Sequence, residues 1–227
     1  MKKIRQPIVT VVGHIDHGKT TILDSITGRA IAKKEPGLIT QKISSTLVTA
    51  DFVKEKCKDL LARYKIEVEI PGFLFIDTPG HAAFTNLRKR GGALADLALL
   101  VVDINEGIME QTLESMAFLK EEKIPFIVAL NKVDAIAGWS KKSQDITENL
   151  NLQSELTKKE FDKKFYNIIN YFTSIGFDSD LFYRIGDFSK KVVLVPCSGK
   201  TQEGIPELIV MIVGLAQKFL KNKLELS

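Results

Sequence analysis

Short apolar runs recur along the chain, and each is followed by a glycine, proline, aspartate or asparagine and then by a stretch of helical character. The runs are residues 8–12, 73–76, 97–102, 126–130 and 192–195. Segments that are apolar on both faces and alternate with helices are typical of a parallel sheet covered on both sides. The pattern therefore predicts an α/β fold, in which a mostly parallel sheet is flanked by helices on both faces.

Residues 137–185 interrupt this alternation and are interpreted as an insertion. Thr157 and Glu160 have the spacing of a capping box, in which two side chains bond the free N–H groups at the start of a helix. Apolar residues then follow at steps of four and three up to Gly176, where a helix would end. They are Phe161, Phe165, Ile168, Phe172 and Ile175. We therefore expect the insertion to contain a folded helix.

Two further helices are expected outside the insertion. Residues 53–64 have the pattern of a short charged helix that precedes the strand at 73–76. The last helix should begin near Pro206, because proline suits the first turn of a helix. Its apolar face repeats at helical spacing and should pack on the sheet. That face consists of Leu208, Ile212, Leu215 and Phe219.

The composition is that of an ordinary soluble protein. The length of 227 residues favours one large domain, 1–227, and 44% of the residues are hydrophobic. The two cysteines, Cys57 and Cys197, fit buried thiols in a reducing compartment. The basic N-terminus lacks the apolar core of a secretion signal, and no apolar run is long enough to span a membrane. We expect a cytoplasmic monomer with no membrane partner.

The first chemical motif is Gly13-His14-Ile15-Asp16-His17-Gly18-Lys19-Thr20, which fits the phosphate-binding pattern G-x-x-x-x-G-K-[ST]. It follows a predicted strand and opens a predicted helix, as phosphate binding requires. The glycines let backbone N–H groups turn towards phosphate oxygens. Lys19 would place its charge at the β- and γ-phosphates, and Thr20 its hydroxyl on Mg²⁺. The predicted phosphate-binding residues of this region are Asp16, His17, Gly18, Lys19, Thr20 and Thr21.

A second motif, Asp77-Thr78-Pro79-Gly80-His81, follows the strand at 73–76. An aspartate at a strand end near the phosphates can hold the Mg²⁺ shell, usually through water. The N–H of Gly80 can approach a γ-phosphate, and His81 could orient the attacking water, which makes His81 the catalytic candidate. Because Asp-Thr-Pro-Gly is also an ordinary turn sequence, the weight of this motif comes from its position after the first one.

A third motif, Asn131-Lys132-Val133-Asp134, predicts which base is bound. The Asp134 carboxylate can accept hydrogen bonds from the ring N–H and the exocyclic amine of guanine. Adenine offers no matching donors, so a buried Asp134 would stay unpaired, which discriminates by about 10⁴-fold or more. Asn131 would tie the loops together, and the stem of Lys132 would lie along the base.

Two weaker signals complete the set. Ser198-Gly199-Lys200 follows the strand at 192–195, and its backbone N–H groups could donate to the guanine O6. Thr40 lies in the loop between the first helix and the second strand, where it could ligate Mg²⁺ while the γ-phosphate is present. Loss of that ligand on hydrolysis would make the loop a switch. A plain loop threonine is the alternative interpretation.

Together these residues resemble the translational GTPases. The motifs at 13–20 and 77–81 carry the resemblance, and His81 separates the chain from signalling GTPases, which usually have glutamine there. Within the group, the chain is similar to the G domain of the archaeal and eukaryotic 5B-type initiation factors, relatives of bacterial initiation factor 2. That similarity lies in the insertion and in residues 84–93, 103–107, 138–139 and 203–208. The resemblance implies a P-loop GTPase fold with a helical insertion at about 137–185.

The resemblance also implies a mechanism. GTP would be hydrolysed to GDP and phosphate, slowly without the ribosome, and Mg²⁺ would be held by Thr20, Thr40 and Asp77. Ile15 would form one side of an apolar gate in front of the water. Asp16 would help to hold a monovalent cation, K⁺ or Na⁺, near the phosphates.

The partners that the resemblance implies are GTP or GDP and both ribosomal subunits, because the family promotes subunit joining. Family members carry further domains after the G domain. We expect those domains to be absent here, so that the chain binds and hydrolyses GTP without joining subunits. Gly199 stands where the family usually has alanine.

Two other classes of function stay open. A P-loop ATPase or kinase would require Asp134 to be irrelevant to the base, and nucleotide preference decides between the two. An RNA-binding module with incidental nucleotide binding is suggested by Arg88-Lys89-Arg90, although a solvated helix face explains these charges equally well. The net charge of +4 is too small to predict strong binding to nucleic acid.

Overall fold

The structure, a computed structural model, describes residues 4–28, 44–77 and 95–224. The strands are β1 Ile8–Gly13, β2 Ser44–Thr49, β3 Gly72–Asp77, β4 Leu97–Asp103, β5 Phe126–Asn131, β6 Ser179–Leu181 and β7 Val192–Pro196. The helices are α1 Lys19–Thr27, α2 Ala50–Lys56, α3 Lys58–Tyr64, α4 Glu110–Glu121, α5 Ile146–Asn151, α6 Glu155–Ser174 and α7 Ile205–Leu224. Short 3₁₀ turns span Val133–Ala135 and Phe182–Arg184.

The described strands form one seven-stranded sheet in the order β2-β3-β1-β4-β5-β7-β6. All neighbouring strands are parallel except β2, which runs antiparallel to β3. The predicted mostly parallel α/β fold is therefore confirmed. Because β1, β3, β4, β5 and β7 are parallel, their carboxyl ends meet at one edge of the sheet, which is where ligands bind in open α/β sheets.

The core lies on both faces of the central strands. Every residue of β4 and of β5 is buried, as expected for strands covered on both sides. Helix α7 contains Pro206 in its first turn, and its residues 208–213 are all buried. Leu208, Ile212 and Leu215 pack inward as predicted, but Phe219 is 40% exposed. Leu220 and Leu224 are buried in its place, so the buried face of the last turns is shifted by one position from the predicted one.

The insertion is folded, and two buried glutamates contribute to its attachment to the rest of the domain. Glu203 accepts hydrogen bonds from the indole N–H of Trp139, the amide of Asn149 and the hydroxyl of Thr201. Glu207 accepts one from the N–H of Ile146.

Three local predictions were wrong in detail. Residues 53–64 do not form one helix, because α2 and α3 are separated at Cys57. Helix α6 begins earlier than Thr157: Ser154 is its N-cap and accepts from the N–H of Thr157 at 3.2 Å. The insertion also contributes a strand that was not predicted, β6, which pairs with β7. The predicted end of α6 is confirmed, since Gly176 follows it with a φ of 87°.

Candidate nucleotide-binding site

The loop between β1 and α1 needs glycine at both of its ends. Gly13 has a φ of 140°, and a Cβ there would lie 2.3 Å from the carbonyl oxygen of Val101. Gly18 has a φ of 89°, and its Cβ would lie 2.4 Å from Nδ2 of Asn131. Both positions combine a backbone conformation that side chains rarely adopt with no room for one. The phosphate-binding pattern is therefore also a steric requirement of the fold.

Lys19 folds back over this loop. Its Nζ donates to the carbonyl oxygens of Gly13 at 2.9 Å and of His14 at 2.7 Å. These bonds hold the ammonium group at the mouth of the loop, beside the N-terminal end of α1. A lysine held in this way presents its charge to an anion lying in the loop.

The first turn of α1 completes this side of the site. It contains no acidic residue, and its N-cap is Gly18, which has no side chain to bond the free N–H groups. The positive end of the helix is therefore available to an anion. Thr20 and Thr21 are half-buried there. Within the described part of the chain, the Thr20 hydroxyl has no hydrogen-bond partner.

Asn131, at the end of β5, joins the loops. Its Nδ2 donates to the carbonyl of His17 at 2.8 Å, and its Oδ1 accepts from the N–H of Gly199 at 3.0 Å. The side chain is almost fully buried. The loop that contains His17 and the turn that contains Gly199 are far apart in sequence, and Asn131 ties them together as predicted.

Lys132 is fixed by the end of β4. Its Nζ lies 2.7 Å from Oδ2 of Asp103, and its carbonyl accepts from the side chain of Asn105 at 3.0 Å. Burial disfavours the charged form of Asp103, but the hydrogen bonds from Lys132 and Asn105 outweigh it and hold the pKa of this carboxyl below its ordinary value. Both contacts hold Lys132 against the end of β4.

Asp134 lies in the 3₁₀ turn Val133–Ala135 and is half-buried. Its carboxylate bonds to no other residue of the described ranges. The charge of Asp134 nevertheless affects the pKa of a nearby thiol. Burial is the main cause that raises the pKa of the Cys197 thiol, and the carboxylates of Glu207 and Asp134 add to it. A half-buried carboxylate without a partner among the described residues is suited to accept hydrogen bonds from a ligand.

The Ser198-Gly199-Lys200 turn packs tightly on α1. The Ser198 hydroxyl accepts from the N–H groups of Lys200 at 3.2 Å and of Thr201 at 3.0 Å. Ser25 donates from its hydroxyl to the carbonyl of Gly199 at 2.5 Å. A Cβ on Gly199 would lie 2.9 Å from Cγ2 of Thr21. The N–H groups of Gly199 and Lys200 thus have acceptors within the protein, which the sequence could not indicate.

Two residues at the site were missed by the sequence analysis. Glu106 contacts the ring of His17, with 3.1 Å between Oε2 and Nε2, and Gln111 accepts from the N–H of Ile15 at 2.8 Å. The ring of His17 is fully buried, and burial is the main cause that lowers its pKa, against the charges of Asp103 and Glu106. The only signal for Glu106 was its place in the stretch 103–107.

Ile15 and Asp16 lie at the outer surface of the loop. Ile15 is 56% exposed, which places an apolar side chain at the mouth of the site, and Asp16 is exposed with a φ of 62°. In the described part of the chain, no feature supports a monovalent cation beside Asp16. The remaining predicted residues Thr40, Gly80 and His81 lie outside the described residues. Asp77 ends β3, where its Cα pairs with that of Val11.

The side chains that the structure describes are compatible with a Mg²⁺ site. Among them there is no group of three or more histidines, cysteines, aspartates and glutamates placed to hold a metal ion. Mg²⁺ in nucleotide sites is held by few protein ligands together with phosphate oxygens and water. The unpartnered hydroxyl of Thr20 beside Lys19 fits that chemistry. None of the described helices is long and apolar enough to cross a membrane.

A mostly parallel sheet, with a glycine loop after its first strand and two polar turns at the same edge, defines the class of P-loop GTPase folds. Residues 4–218 match the family model described as the elongation factor Tu GTP binding domain. The chain belongs to this family. The family match does not favour the ATPase, kinase or RNA-binding alternatives.

Comparison with individual proteins shows which members of this family the chain is similar to. The chain is 50% identical over 229 residues to the probable translation initiation factor IF-2 of Sulfolobus acidocaldarius, with 100% of this chain and 38% of that protein covered. It is 50% identical over 227 residues to the protein of the same description from Methanopyrus kandleri, with the same coverage of 100% and 38%. Its fold is similar to GDP-bound aIF5B from Aeropyrum pernix, with a TM-score of 0.88, 45% identity, and coverage of 99% of this chain and 38% of that one. The chain thus spans under two fifths of these relatives.

Proposed function

We propose that this chain is the GTP-binding and GTP-hydrolysing switch domain of a translation initiation factor of the IF-2/aIF5B kind. The observation that carries the proposal is the buried Asn131, which bonds to His17 on one side and to Gly199 on the other, at 2.8 and 3.0 Å. A single side chain thereby joins a phosphate-binding loop to a turn suited to a base. The family match and the relatives named above support the same function.

Guanine would be read by Asp134. Its half-buried carboxylate would accept from the ring N–H and the exocyclic amine, and the stem of Lys132 would cover the base. The turn at Ser198, Gly199 and Lys200 would provide backbone donors to the guanine O6. Because the N–H groups of all three residues already have acceptors within the protein, a donor to the base would be shared between the protein and the base. Adenine would leave Asp134 unpaired.

The phosphates would lie in the loop 13–20. Backbone N–H groups of Asp16, His17, Gly18, Thr20 and Thr21 would donate to phosphate oxygens, and Lys19 would place its ammonium group at the β- and γ-phosphates. Thr20, Thr40 and Asp77 would hold Mg²⁺, which supplies charge neutralisation at the β- and γ-oxygens. Asp16 is proposed, from the family resemblance, as a ligand of a monovalent cation.

Hydrolysis would proceed by in-line attack of water on the γ-phosphate. His81 would orient this water, Gly80 would donate its N–H to the γ-phosphate, and Ile15 would form one side of an apolar gate in front of the water. GTPases of this class turn over on the order of 10⁻⁴ to 10⁻² s⁻¹ without an activating partner. We therefore expect slow intrinsic turnover.

The relatives are longer than this chain, and the role in initiation is proposed for a factor of their full length. Such a factor would act in the cytoplasm, bind both ribosomal subunits, and leave after GTP hydrolysis. The domain itself would be a monomer that binds nucleic acid weakly.

Competition binding tests the proposal directly. The purified chain is titrated with fluorescent GTP and GDP, and each complex is then challenged with unlabelled GTP, GDP or ATP, with and without Mg²⁺. Displacement by guanine nucleotides alone is the expected result. Equal displacement by ATP would remove the assigned role of Asp134 and the GTPase function with it.

A further inference from the structure

The ring of His17 is held by two neighbours at its two nitrogen atoms. The backbone N–H of Asp103 points at Nδ1 at 3.2 Å, and Oε2 of Glu106 lies 3.1 Å from Nε2. The ring is fully buried, and the ring of His14 packs edge-on against it with 5.1 Å between centroids.

These contacts fix the tautomer. A backbone N–H can only donate, so Nδ1 must carry a free lone pair, and in a neutral imidazole the proton then lies on Nε2. Nε2 therefore donates to the Glu106 carboxylate. A hydrogen bond to a charged acceptor is stronger than one between neutral groups.

The backbone of the same residue forms part of the phosphate-binding loop. The carbonyl of His17 accepts from Asn131 at 2.8 Å, and its N–H donates to the carbonyl of His14 at 3.4 Å. The residues on either side, Asp16 and Gly18, both have positive φ. Gly18 has no Cβ, so its own backbone conformation is less restricted than that of other residues. An anchored ring at His17 therefore limits which way the neighbouring N–H groups point.

Glu106 lies on a turn that is tied to the base side of the site. The turn closes with a bond from the N–H of Gly107 to the carbonyl of Asp103 at 2.8 Å. Asn105, the residue before Glu106, donates to the carbonyl of Lys132 at 3.0 Å. A displacement of the Lys132 turn would therefore move Asn105 and the adjacent Glu106, and would alter the contact between Glu106 and the ring of His17.

We propose that Glu106 is a positioning residue for nucleotide binding, which accepts the Nε2–H hydrogen bond of His17, fixes the ring in place and so orients the N–H groups of the phosphate-binding loop. The inference rests on the proposed function, since it assumes that this loop binds the phosphates of a guanine nucleotide. Glu106 would not touch the nucleotide itself.

The opposite side of Glu106 provides a matched control. Glu106 borders a cavity of about 300 Å³, and Glu160 of α6 lines the same cavity. Glu160 is half-buried. Removing its charge changes the electrostatics of the cavity without removing a partner of His17. An effect specific to Glu106 is thus separable from a general effect of charge.

The first experiment is spectroscopic and needs no nucleotide. The chain contains only three histidines, so ¹⁵N-histidine labelling gives few signals to assign by single substitution. We expect the Nε2–H tautomer at His17 in the wild type and in Glu106→Gln, which keeps an acceptor. In Glu106→Ala the N–H of Asp103 still keeps Nδ1 unprotonated, so we expect the same tautomer, but the Nε2 proton loses its acceptor and should exchange faster with solvent and shift upfield. An Nε2–H signal that is unchanged in Glu106→Ala would contradict the inference. An Nδ1–H tautomer in the wild type would overturn the inference whether or not the protein binds GTP.

The second experiment is titration with GDP and GTP of the wild type, Glu106→Ala, Glu106→Gln and Glu160→Ala. Loss of one partly exposed, charge-assisted hydrogen bond should weaken both nucleotides about five-fold in Glu106→Ala. Glu106→Gln should recover most of that affinity, and Glu160→Ala should bind as the wild type does. If Glu106→Gln and Glu106→Ala lose nucleotide affinity equally, positioning through a hydrogen bond is rejected. If Glu160→Ala loses as much affinity as Glu106→Ala, the effect comes from the charge of the cavity alone.

The two experiments separate the inference from the proposed function. If the wild type binds no guanine nucleotide, the proposed function fails, while the Nε2–H signal of His17 in the wild type and in Glu106→Ala still decides how Glu106 acts on the ring. If the wild type binds guanine nucleotides and Glu106→Ala binds them equally well with a correctly folded spectrum, the positioning role fails alone.

Discussion

Asn131 donates a hydrogen bond of 2.8 Å from Nδ2 to the carbonyl oxygen of His17, across 114 positions of sequence. The other end of the same amide accepts from Gly199, 68 positions away. A side chain with both a donor and an acceptor is required here, because the two partners are a C=O and an N–H. Aspartate, leucine and lysine each lack one or both functions, so this position specifies an amide of this length.

Asn131→Ala should therefore disrupt both loops at once. Two buried backbone groups would lose their partners, at about 1–3 kcal/mol each. We expect a loss of a few kcal/mol in the free energy of unfolding, measured by urea titration, and at least about ten-fold weaker GDP binding. Asn151→Ala, on the exposed end of α5, is the matched control. Wild-type stability in Asn131→Ala would mean that the amide does not hold the loops.

Gly13→Ala tests the steric requirement at the start of the phosphate-binding loop. The new Cβ would lie 2.3 Å from the carbonyl oxygen of Val101, a backbone atom in the central strand β4. The backbone must move to relieve this contact, so we expect a loss of about 3 kcal/mol or more in the free energy of unfolding.

Gly176→Ala is the control for conformation alone. Gly176 also has positive φ, 87°, but the atom nearest to its added Cβ is Nζ of Lys120 at 3.8 Å. Only the cost of a left-handed alanine should remain, about 1 kcal/mol. Similar losses in the two variants would show that β1 and β4 can separate at little cost.

Glu207 should make stability depend on pH. Burial raises its pKa to about 7, from an ordinary value of 4.5, while the bond from the N–H of Ile146 acts in the opposite direction. The folded protein therefore holds a proton that the unfolded chain releases between about pH 4.5 and 7. The stability contributed by this group is fully present below pH 4.5 and is lost as the pH rises towards 7.

Glu207→Gln isolates this contribution. The shift corresponds to about 3 kcal/mol, so the wild type should lose about that much relative to Glu207→Gln between pH 4.5 and 8. Glutamine keeps an oxygen for Ile146 and does not titrate. Urea titrations of both proteins across this range measure the difference, in which the other titrating groups cancel. A difference that does not vary with pH would mean that Glu207 titrates normally.

The sheet could be predicted because its strands are covered on both faces and therefore appear as continuous apolar runs. β6 could not, since Ser179–Leu181 is three residues long and has an aspartate at its centre. Its pairing follows from the fold of the insertion and not from its own composition. Thr157 and Glu160 have the spacing of a capping box, which predicts a helix start at Thr157. The hydroxyl of Ser154, at the same spacing before Thr157, caps the helix in the structure.

The residues of the candidate site also differ in how far the sequence could predict them. The sequence places Lys19, Asn131 and Asp134 after predicted parallel strands, and the structure brings the carboxyl ends of β1 and β5 to one edge of the sheet. The roles of the three residues towards phosphate and guanine stay predictions. The contact of Glu106 with His17 joins positions that are 89 residues apart. No local pattern marks such a pair, because a glutamate in a polar turn has the same composition whether or not it has a buried partner. Only the geometry reveals it.

His81→Ala should reduce GTP hydrolysis and leave nucleotide binding intact. The sequence predicts that His81 orients the attacking water, and loss of that role alone should not change the affinity for the nucleotide. General acid–base or positioning groups contribute about 10²- to 10⁴-fold, so we expect a loss of at least about 100-fold in turnover. Single-turnover hydrolysis and GTP titration are measured on the same preparation, with and without ribosomes. Unchanged stimulated turnover at unchanged affinity would remove His81 from the mechanism.

Asp134→Asn should change the base that is bound, because the edge of the base that faces this residue carries donors in guanine and a carbonyl acceptor in xanthine. The amide of asparagine can accept from the ring N–H and donate to that carbonyl, whereas guanine's amine would meet another donor. We expect at least about 10²-fold weaker GDP binding and a gain in affinity for xanthosine diphosphate. Both are measured by titration. Asp162→Asn, the same chemical change on the exposed face of α6, should alter neither affinity. If Asp134→Asn bound GDP as tightly as the wild type, the base would be read by another group, and the backbone donors at Ser198, Gly199 and Lys200 would be the next to test.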